Sequence, residues 1–444
     1  MSRLVVIGAG AMGLAAAYHA MKRGHAVTVL EAAPEPGGMA AHFDLAGLSI
    51  ERFYHFVCKA DRPTLDLLAE LGLAGKMRWA PTSMGYYLDG TLYPWGDPVS
   101  LLRFPKLGLA EKLRYGLMMA LSARRREAGR LETLSAKEWI TAWCGGRVYE
   151  RMWAPLFRLK FHDYADDISA AWIWTRIKRI GSSRRSLFQE ELGCLEGGSE
   201  TLIRALVDAI ARGGGEIRLS TPATRIDIAG GRVKGVEAGG GHVAADAVIS
   251  TVPTPLVSAL VPDLPAAERA RYEAIRNIGV VCVVFRLTRS VTPHFWVNIS
   301  DPRFEIPGIV EFSRLRPVTD TVVYVPYYMP TTHPKFRQPD EAFRTEAFGC
   351  LKRLNPSLRD GDLVACHVGR LRHAQPVCPP GFAAMLPPVQ TSVAGLQIAD
   401  TCFYYPEDRG ISESVRLGRS MAEAVGRSPA GEEEASRPAS ARSC

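Results

Sequence analysis

The chain has 444 residues, 47% of them hydrophobic, with 54 Lys and Arg against 46 Asp and Glu for a formal charge of +8. That length and composition suit a globular protein of two domains with an ample core, and no apolar stretch is long enough to span a bilayer. Nine scattered cysteines without a C-x-x-C pair point to neither a zinc site nor a disulfide framework, so no metal is expected and the cytoplasm is the expected location.

Leu4 to Ile7 is a short apolar run that reads as a buried strand. Gly8, Gly10 and Gly13 follow as G-x-G-x-x-G, then an Ala-rich helical run from Leu14 to Arg23, a Gly24 stop, and a second apolar strand, Val27 to Leu30, ending in Glu31. Gly8 permits the tight turn, Gly10 admits a pyrophosphate against backbone, and Gly13 lets helix pack close on strand. The helix N-terminus offers free N–H groups and a positive dipole end to the phosphates. Glu31 can accept hydrogen bonds from a ribose. The glycines interrupt the apolar run, which argues against a signal peptide.

"PEPGGMA" (Pro34 to Ala40) is a second Gly-rich loop, and Leu65 to Leu73 reads as a helix closed by Gly72. From Trp79 the texture becomes aromatic and alternating, with Asp89-Gly90 as a hairpin turn. Leu101 to Arg185 reads as helical. Between Arg103 and Arg185 there are 18 basic against 8 acidic residues, and five of the eight tryptophans fall in the same region. Interleaving of the basic residues with Leu and Trp favours a solvated surface over a nucleic-acid site; an anionic lipid or substrate is the other reading. One helix placed after Pro105 would gather Leu107, Leu113, Leu117, Met118 and Leu121 at helical spacings near Lys112 and Arg114, and the stretch ends in Arg124, Arg125 and Arg126. It reads either as a helix packed on its own domain or as one lying in a bilayer interface.

Nucleotide-domain texture returns from Cys194 to Ile228, and Ala247 to Thr251 reads as a buried strand. "GVVCVVFRLT" and "TVVYVPYYM" read as strands of a second sheet, and "GLQIADTCFYYPEDRGISESVRLG" as strand, loop and helix. The small, polar tail 428–444 reads as disordered. The expected fold is α/β: a Rossmann-like nucleotide domain (1–75, 195–265 and 385–427) interleaved with an α+β substrate domain (76–194 and 266–384).

Three motifs carry a resemblance: Gly8 to Glu31 and on to Gly37-Gly38, "DAVISTVP" (Asp246 to Pro253), and "IADTCFYYPEDRGISESVRLG". With them the chain resembles the flavin amine oxidase superfamily, which includes amine oxidases, protoporphyrinogen oxidases, phytoene desaturases and UDP-galactopyranose mutases. The resemblance implies non-covalent FAD on a glutathione-reductase-type fold. It puts the cofactor on Gly8, Gly10, Ala11, Met12 and Gly13, on Glu31 and Ala32, on Gly37, Gly38 and Met39, on the backbone at Ala223, on Asp400 near the ribityl end, and on the helix starting at Ile411. Two positions depart from the family pattern: Met39 stands where many members have Arg, and Ala399 where many have Gly.

The implied activity is that of an FAD-dependent oxidoreductase (oxidase, dehydrogenase or desaturase) taking hydride from a bulky, largely apolar small molecule, without nucleic acid. Peripheral contact at the inner face of the membrane fits the basic middle. The alternatives are a mutase-like flavin isomerase of a nucleotide sugar, and a non-enzymatic binder on the same fold. Catalytic candidates are His55, which could face the flavin or be packed, and Tyr405 and Arg409, which could line the ring or pack their loop beside Tyr404 and Glu407. Glu311, Tyr324, Tyr327 and Tyr328 are candidate pocket residues on the second sheet. Arg158 and Lys160 are candidate anion binders or solvated charges. Cys378 and Cys402 lack the local pattern for a covalent flavin link.

Overall fold

The computed structural model describes residues 2–426, so the tail expected to be disordered, 428–444, lies outside the described residues. The opening run forms strand β1 (Arg3–Ile7), buried at four of five positions. Helix α1 (Ala11–Lys22) follows and is buried throughout Ala11–Ala20, which explains its small side chains. Gly24, at φ 85°, turns the chain into β2 (Ala26–Leu30). The middle of the chain is helical as read: α2 (Pro98–Arg103), α3 (Leu109–Arg124), α4 (Ala154–Phe161) and α5 (Ala170–Ser182). Then come β3 (Glu216–Arg218), β4 (Ala247–Ser250), β5 (Asn277–Leu287), β6 (Thr321–Met329), β7 (Leu396–Ile398) and α6 (Ile411–Ala424).

Five strands from distant parts of the chain make one parallel sheet in the order β3-β2-β1-β4-β7. The sequence order jumps at β1, because β2 lies on one side of it and β4 on the other. Such a switch point leaves a crevice beyond the carboxyl ends of the strands, where ligands of doubly wound sheets bind. A second, seven-stranded sheet has the order Leu363–Pro376, β5, β6, Gly308–Glu311, Trp296–Ile299, Met84–Leu88, Thr91–Trp95. Its last two strands join through Asp89 and Gly90, both at positive φ (50° and 79°), the geometry a two-residue hairpin turn demands.

The single amphipathic helix expected after Pro105 is corrected in two respects. Leu107 precedes α3 and is itself buried, because the helix begins only after Gly108. The remaining apolar positions do not share one face: Met118 is buried with Tyr115, whereas Leu113, Leu117 and Leu121 point outward. Residues 42–54, read as part of the nucleotide domain, also lean on the second sheet. Glu51 pairs with Arg316 at 2.9 Å, and its carbonyl accepts from the Tyr324 hydroxyl at 2.7 Å.

Helix α5 ties the two loops that frame the crevice. Arg179 grips Asp61 with two hydrogen bonds, of 3.0 and 2.6 Å, and Asp61 also accepts from the backbone N–H of Cys58 at 2.8 Å. One turn earlier Thr175 donates to the carbonyl of Pro406 at 2.6 Å, and Arg176 pairs with Asp408. The Asp61 and Arg179 side chains are mostly buried, 7% and 23% exposed, so removing one partner strands the other charge. Asp61→Asn should therefore destabilise the protein by about 3 kcal/mol, read as a lower urea midpoint. An unchanged midpoint would mean that α5 does not hold this loop.

Candidate active site

The crevice is built from backbone. Gly8 has φ 104°, and a Cβ there would lie 2.4 Å from the Thr251 hydroxyl. A Cβ on Gly13 would lie 1.9 Å from the Gly8 carbonyl oxygen. These two glycines are required by packing of the protein on itself. Gly10 differs: nothing lies within 4 Å of where its Cβ would be, so packing of the protein on itself does not require a glycine there. The second glycine loop rests on the first. Gly37 donates to the carbonyl of Ala9 at 2.8 Å, and a Cβ on Gly38 would approach the Gly10 Cα to 3.3 Å. Met39 sits in the short 3₁₀ turn that follows.

Glu31 ends β2 as the spacing predicts, and its carboxylate accepts from the backbone N–H groups of Ala9 at 2.7 Å and Ala33 at 2.8 Å. It fastens the turn to the neighbouring strand and keeps partly exposed surface, whereas Ala32 beside it is exposed. Thr221 donates to the Glu31 carbonyl at 2.8 Å, which brings the strand opening at Ala223 to the same corner.

Helices α1 and α6 pack side by side. A Cβ on Gly418 would lie 2.4 Å from the Met12 carbonyl, and further along Arg419 and Glu423 reach the surroundings of His19, so the helices run parallel. Both begin at a glycine, Gly10 and Gly410, with no side-chain cap. Ala11 and Met12 open α1, Ile411 opens α6, and the hydroxyl of Ser412 is buried without a partner. Two uncapped N-termini at one end of a helix pair present free N–H groups and positive dipole ends to an anion. With the open space at Gly10, this arrangement fits a bound dinucleotide.

Asp400 stands just past β7, where the resemblance implies a cofactor contact, and the structure adds a second task. Its two carboxylate oxygens accept from the N–H groups of Cys402 (2.8 Å) and Thr254 (2.6 Å). It thus ties together the loops after β7 and β4. Asp400→Ala would disturb the protein as well as the cofactor.

Beyond this cradle Tyr54, His55, Lys160, Asp408 and Arg409 are crowded by protein yet keep some accessible surface, as residues lining an internal pocket do. The Tyr54 ring stands edge-on to Trp296 and Tyr324, at 5.5 and 5.6 Å between centroids. His55 has an Nδ1 without a partner, and burial pulls its pKa down to about 4, so the ring is neutral near pH 7. Lys160 sits among Trp172, Tyr328 and Phe161, 5.0 to 5.5 Å from the ring centroids. Burial, reinforced by Arg176, lowers its pKa well below the ordinary lysine value. Burial alone would raise the Asp408 carboxyl, but Arg176, Lys160 and Arg409 outweigh it and hold the pKa at about 2. Arg409 donates to the Ala374 carbonyl and lies 6.0 Å from the Tyr328 ring centroid. The pocket thus carries three basic side chains against the carboxylate of Asp408.

Several sequence candidates lie elsewhere. Tyr405 is corrected as a catalytic candidate: its hydroxyl is engaged by Ser169 and Glu132, both at 2.7 Å, and its ring packs edge-on to Phe382. The Tyr404 hydroxyl is held by Ser414. Glu311 is corrected as a pocket residue, since it is buried and accepts from the N–H groups of Val291 and Thr292 and from Ser290 and Arg314. Tyr327 points to the opposite face of β6, against Phe343, so of that group Tyr328 lines the pocket and Tyr324 backs Tyr54. Arg158 is solvated and paired with Glu150, whereas Lys160 faces inward. Sequence reading did not single out Arg176 or Asp408 as a pair. An acid and a base 232 residues apart leave no periodic trace.

A family model described as flavin containing amine oxidoreductase matches residues 13–368. A Mycobacterium tuberculosis protein named as a flavin-containing monoamine oxidase, AofH, is 26% identical over 267 residues, covering 56% of each chain. The 15-cis-phytoene desaturase of Arabidopsis thaliana is 25% identical over 282 residues, 59% of this chain and 49% of its own. The chain thus spans about half the length of the curated relatives it matches. A crystal structure described as a protoporphyrinogen oxidase from Exiguobacterium sp. superposes with TM-score 0.73 at 22% identity, over 95% of this chain and 98% of that one. Putrescine oxidase bound to putrescine superposes at 0.71 and 19% identity, over 95% and 98%. These likenesses establish the α/β fold with its Rossmann-like parallel sheet.

The two kinds of glycine separate experimentally. Gly10→Val should give folded protein that has lost its cofactor, whereas Gly13→Val should fail to fold or melt far lower, since its Cβ would overlap the Gly8 carbonyl. Circular dichroism with the cofactor absorbance reads both, and equal behaviour of the two variants would contradict the assignment. For His55, the unfolded chain takes up a proton near pH 6.5 and the folded chain only near 4, so its contribution to stability is full above 6.5 and lost as pH falls between them. His55→Phe should shrink the drop in urea midpoint from pH 7 to pH 5. An unaltered drop would mean that His55 is solvated.

Proposed function

The chain belongs to the flavin containing amine oxidoreductase family, and from that premise we propose that it is an FAD-dependent oxidoreductase acting on a bulky, largely apolar small molecule, with FAD held non-covalently. Its working place under this reading is the cytoplasm. The observation that carries the cofactor reading is the pair of uncapped N-termini of two parallel, packed helices, together with the open space at Gly10. A single mononucleotide would need one such terminus; a dinucleotide with a ribityl chain makes use of both. Gly8, Gly10, Ala11, Met12 and Gly13 would face the pyrophosphate, Glu31, Ala32 and Ala223 the adenosine end, and Gly37, Gly38, Met39, Asp400 and Ile411 the ribityl and ring end. FAD, when bound, supplies the two-electron redox centre.

The protein's own residues would hold and orient the substrate and keep water away. Tyr54, Tyr328 and Trp296 offer apolar wall, with Trp172 buried behind Lys160. His55, neutral near pH 7 with its buried Nδ1 unpartnered, adds an uncharged polar side chain beside Tyr54. The charge around the pocket narrows the substrate class. Lys160 already occupies the aromatic surroundings that would stabilise an ammonium, and one oxygen of the Asp408 carboxylate is paired with Arg176 while Oδ1 is buried without a partner. A protonated amine would have to reach that buried oxygen past Arg176 and Arg409. A neutral or acidic lipophilic molecule suits the pocket better, nearer in kind to the desaturase relatives' phytoene than to putrescine. The same basic side chains keep a second reading in view, a flavin-dependent isomerase holding the pyrophosphate of a nucleotide sugar.

Anaerobic titration distinguishes these readings. Neutral or carboxylate-bearing polyenes and macrocycles should bleach the oxidised flavin band, and alkylamines should not. Lys160→Met should weaken the response to carboxylate-bearing compounds at least tenfold while leaving neutral ones nearly unaffected. Bleaching by amines alone would overturn the substrate class. Isomerisation of a nucleotide sugar by pre-reduced protein, without bleaching by any lipophilic compound, would overturn the oxidoreductase reading.

A further inference from the structure

Among the described residues eleven large hydrophobic side chains are exposed, and eight of them lie on three adjacent elements. Leu109, Leu113, Leu117 and Leu121 recur every fourth residue along α3 and are 68, 61, 53 and 43% exposed. At about 100° per residue they wind over roughly a third of the helix surface, opposite the Tyr115, Met118 and Ser122 face that packs inward. Ala110 and Ala120, also exposed, fill the space between them. Helix α2 adds Val99 and Leu102, and it is held to α3 by Lys112, which donates to the Leu102 carbonyl at 2.7 Å. The third element is the hairpin tip after α5, where Leu187 and Phe188 are 66 and 61% exposed. Arg184 at its base donates to the Gly96 carbonyl at 2.6 Å, just before α2.

The border of this face is basic. Arg103 ends α2, Arg124, Arg125 and Arg126 end α3, and Arg184 and Arg185 flank the hairpin tip. Among the described residues no carboxylate lies within ion-pair reach of Arg103, Arg124 or Arg126. Glu111, the acid between residues 101 and 126, is occupied at its own helix start by the Gly108 N–H and by Arg147.

We propose that this face docks on an anionic lipid bilayer, with the leucine stripe and the Leu187–Phe188 tip in the interfacial region and the arginines against the head groups. An amphipathic helix buries its apolar face about 5–10 Å into that boundary. The charge selects the occupant. A second copy of the chain would oppose arginines to arginines, whereas a bilayer with anionic head groups supplies both an apolar layer and negative charge. No described helix is long and apolar enough to cross a membrane, so the contact is peripheral. The docking surface does not depend on the redox reading. One consequence does: α3 packs on α5 through the Trp174 to Ser122 contact of 2.9 Å, and α5 carries Trp172 and Arg176 beside the pocket, so docking would set the pocket one helix away from the bilayer.

The test is sedimentation of the full-length, cofactor-loaded protein with vesicles of phosphatidylglycerol and phosphatidylcholine, and with phosphatidylcholine alone. Binding should require the anionic lipid and fall with salt. Arg124, Arg125 and Arg126 changed together to Ser should weaken partitioning by roughly fivefold per charge. Leu113→Asp with Leu117→Asp should abolish it, with the flavin spectrum and melting temperature unchanged in both variants. Absence of binding to anionic vesicles at low salt would overturn the proposal. So would binding that survives both variants, or a dimer in gel filtration that the Leu113/Leu117 variant dissociates. None of these readouts uses turnover, so failure of the docking surface and failure of the redox reading remain distinct.

Discussion

The contact on which the rest of the protein depends is between two backbones that no side chain may separate. Gly13 on α1 lies so close to the Gly8 carbonyl that a methyl group would overlap it, and Gly8 is in turn pressed against Thr251 at the end of β4. This seats α1 directly on the parallel sheet. Its uncapped N-terminus therefore lies at the switch point rather than above it. The second glycine loop then rests on the first through Gly37 and Gly38, and α6 packs on α1 through Gly418. Four successive close approaches, each made possible by a missing Cβ, create an anion-ready crevice before any functional side chain is considered.

The pocket follows the opposite logic. It is made of side chains drawn from separate parts of the chain and held by α5. Charged groups inside a protein are tolerated only with partners, and here Arg176 and Asp408 supply that pairing while joining helix to loop. Lys160 is buried among aromatic rings with no carboxylate in ion-pair contact, and burial, reinforced by Arg176, is what suppresses its pKa. The same neighbourhood that fixes the wall therefore sets the charge along it.

What was legible in the sequence tracks how local the physics is. The strand, turn, helix and strand around Gly8, Gly10, Gly13 and Glu31 are legible because they are consecutive. Asp89-Gly90 is read correctly because both residues favour positive φ. Leu113, Leu117 and Leu121 were legible as a stripe, but periodicity does not say which face meets protein, and the buried face turned out to be that of Tyr115 and Met118. Tyr405 looked catalytic from its neighbours in sequence, yet its hydroxyl is held by Glu132, 273 residues away. Lys160 read most simply as solvated, because nothing nearby in sequence reveals that Tyr328 covers it.

Under the proposed function the glycine crevice and the two helix termini bind one FAD without a covalent bond. The direct measurement is the visible spectrum of the purified protein, followed by acid precipitation and identification of what is released. The account predicts a flavin spectrum near one equivalent per chain and a yellow supernatant containing intact FAD. Protein that stays colourless when FAD is added, or flavin that remains in the precipitate, would contradict it.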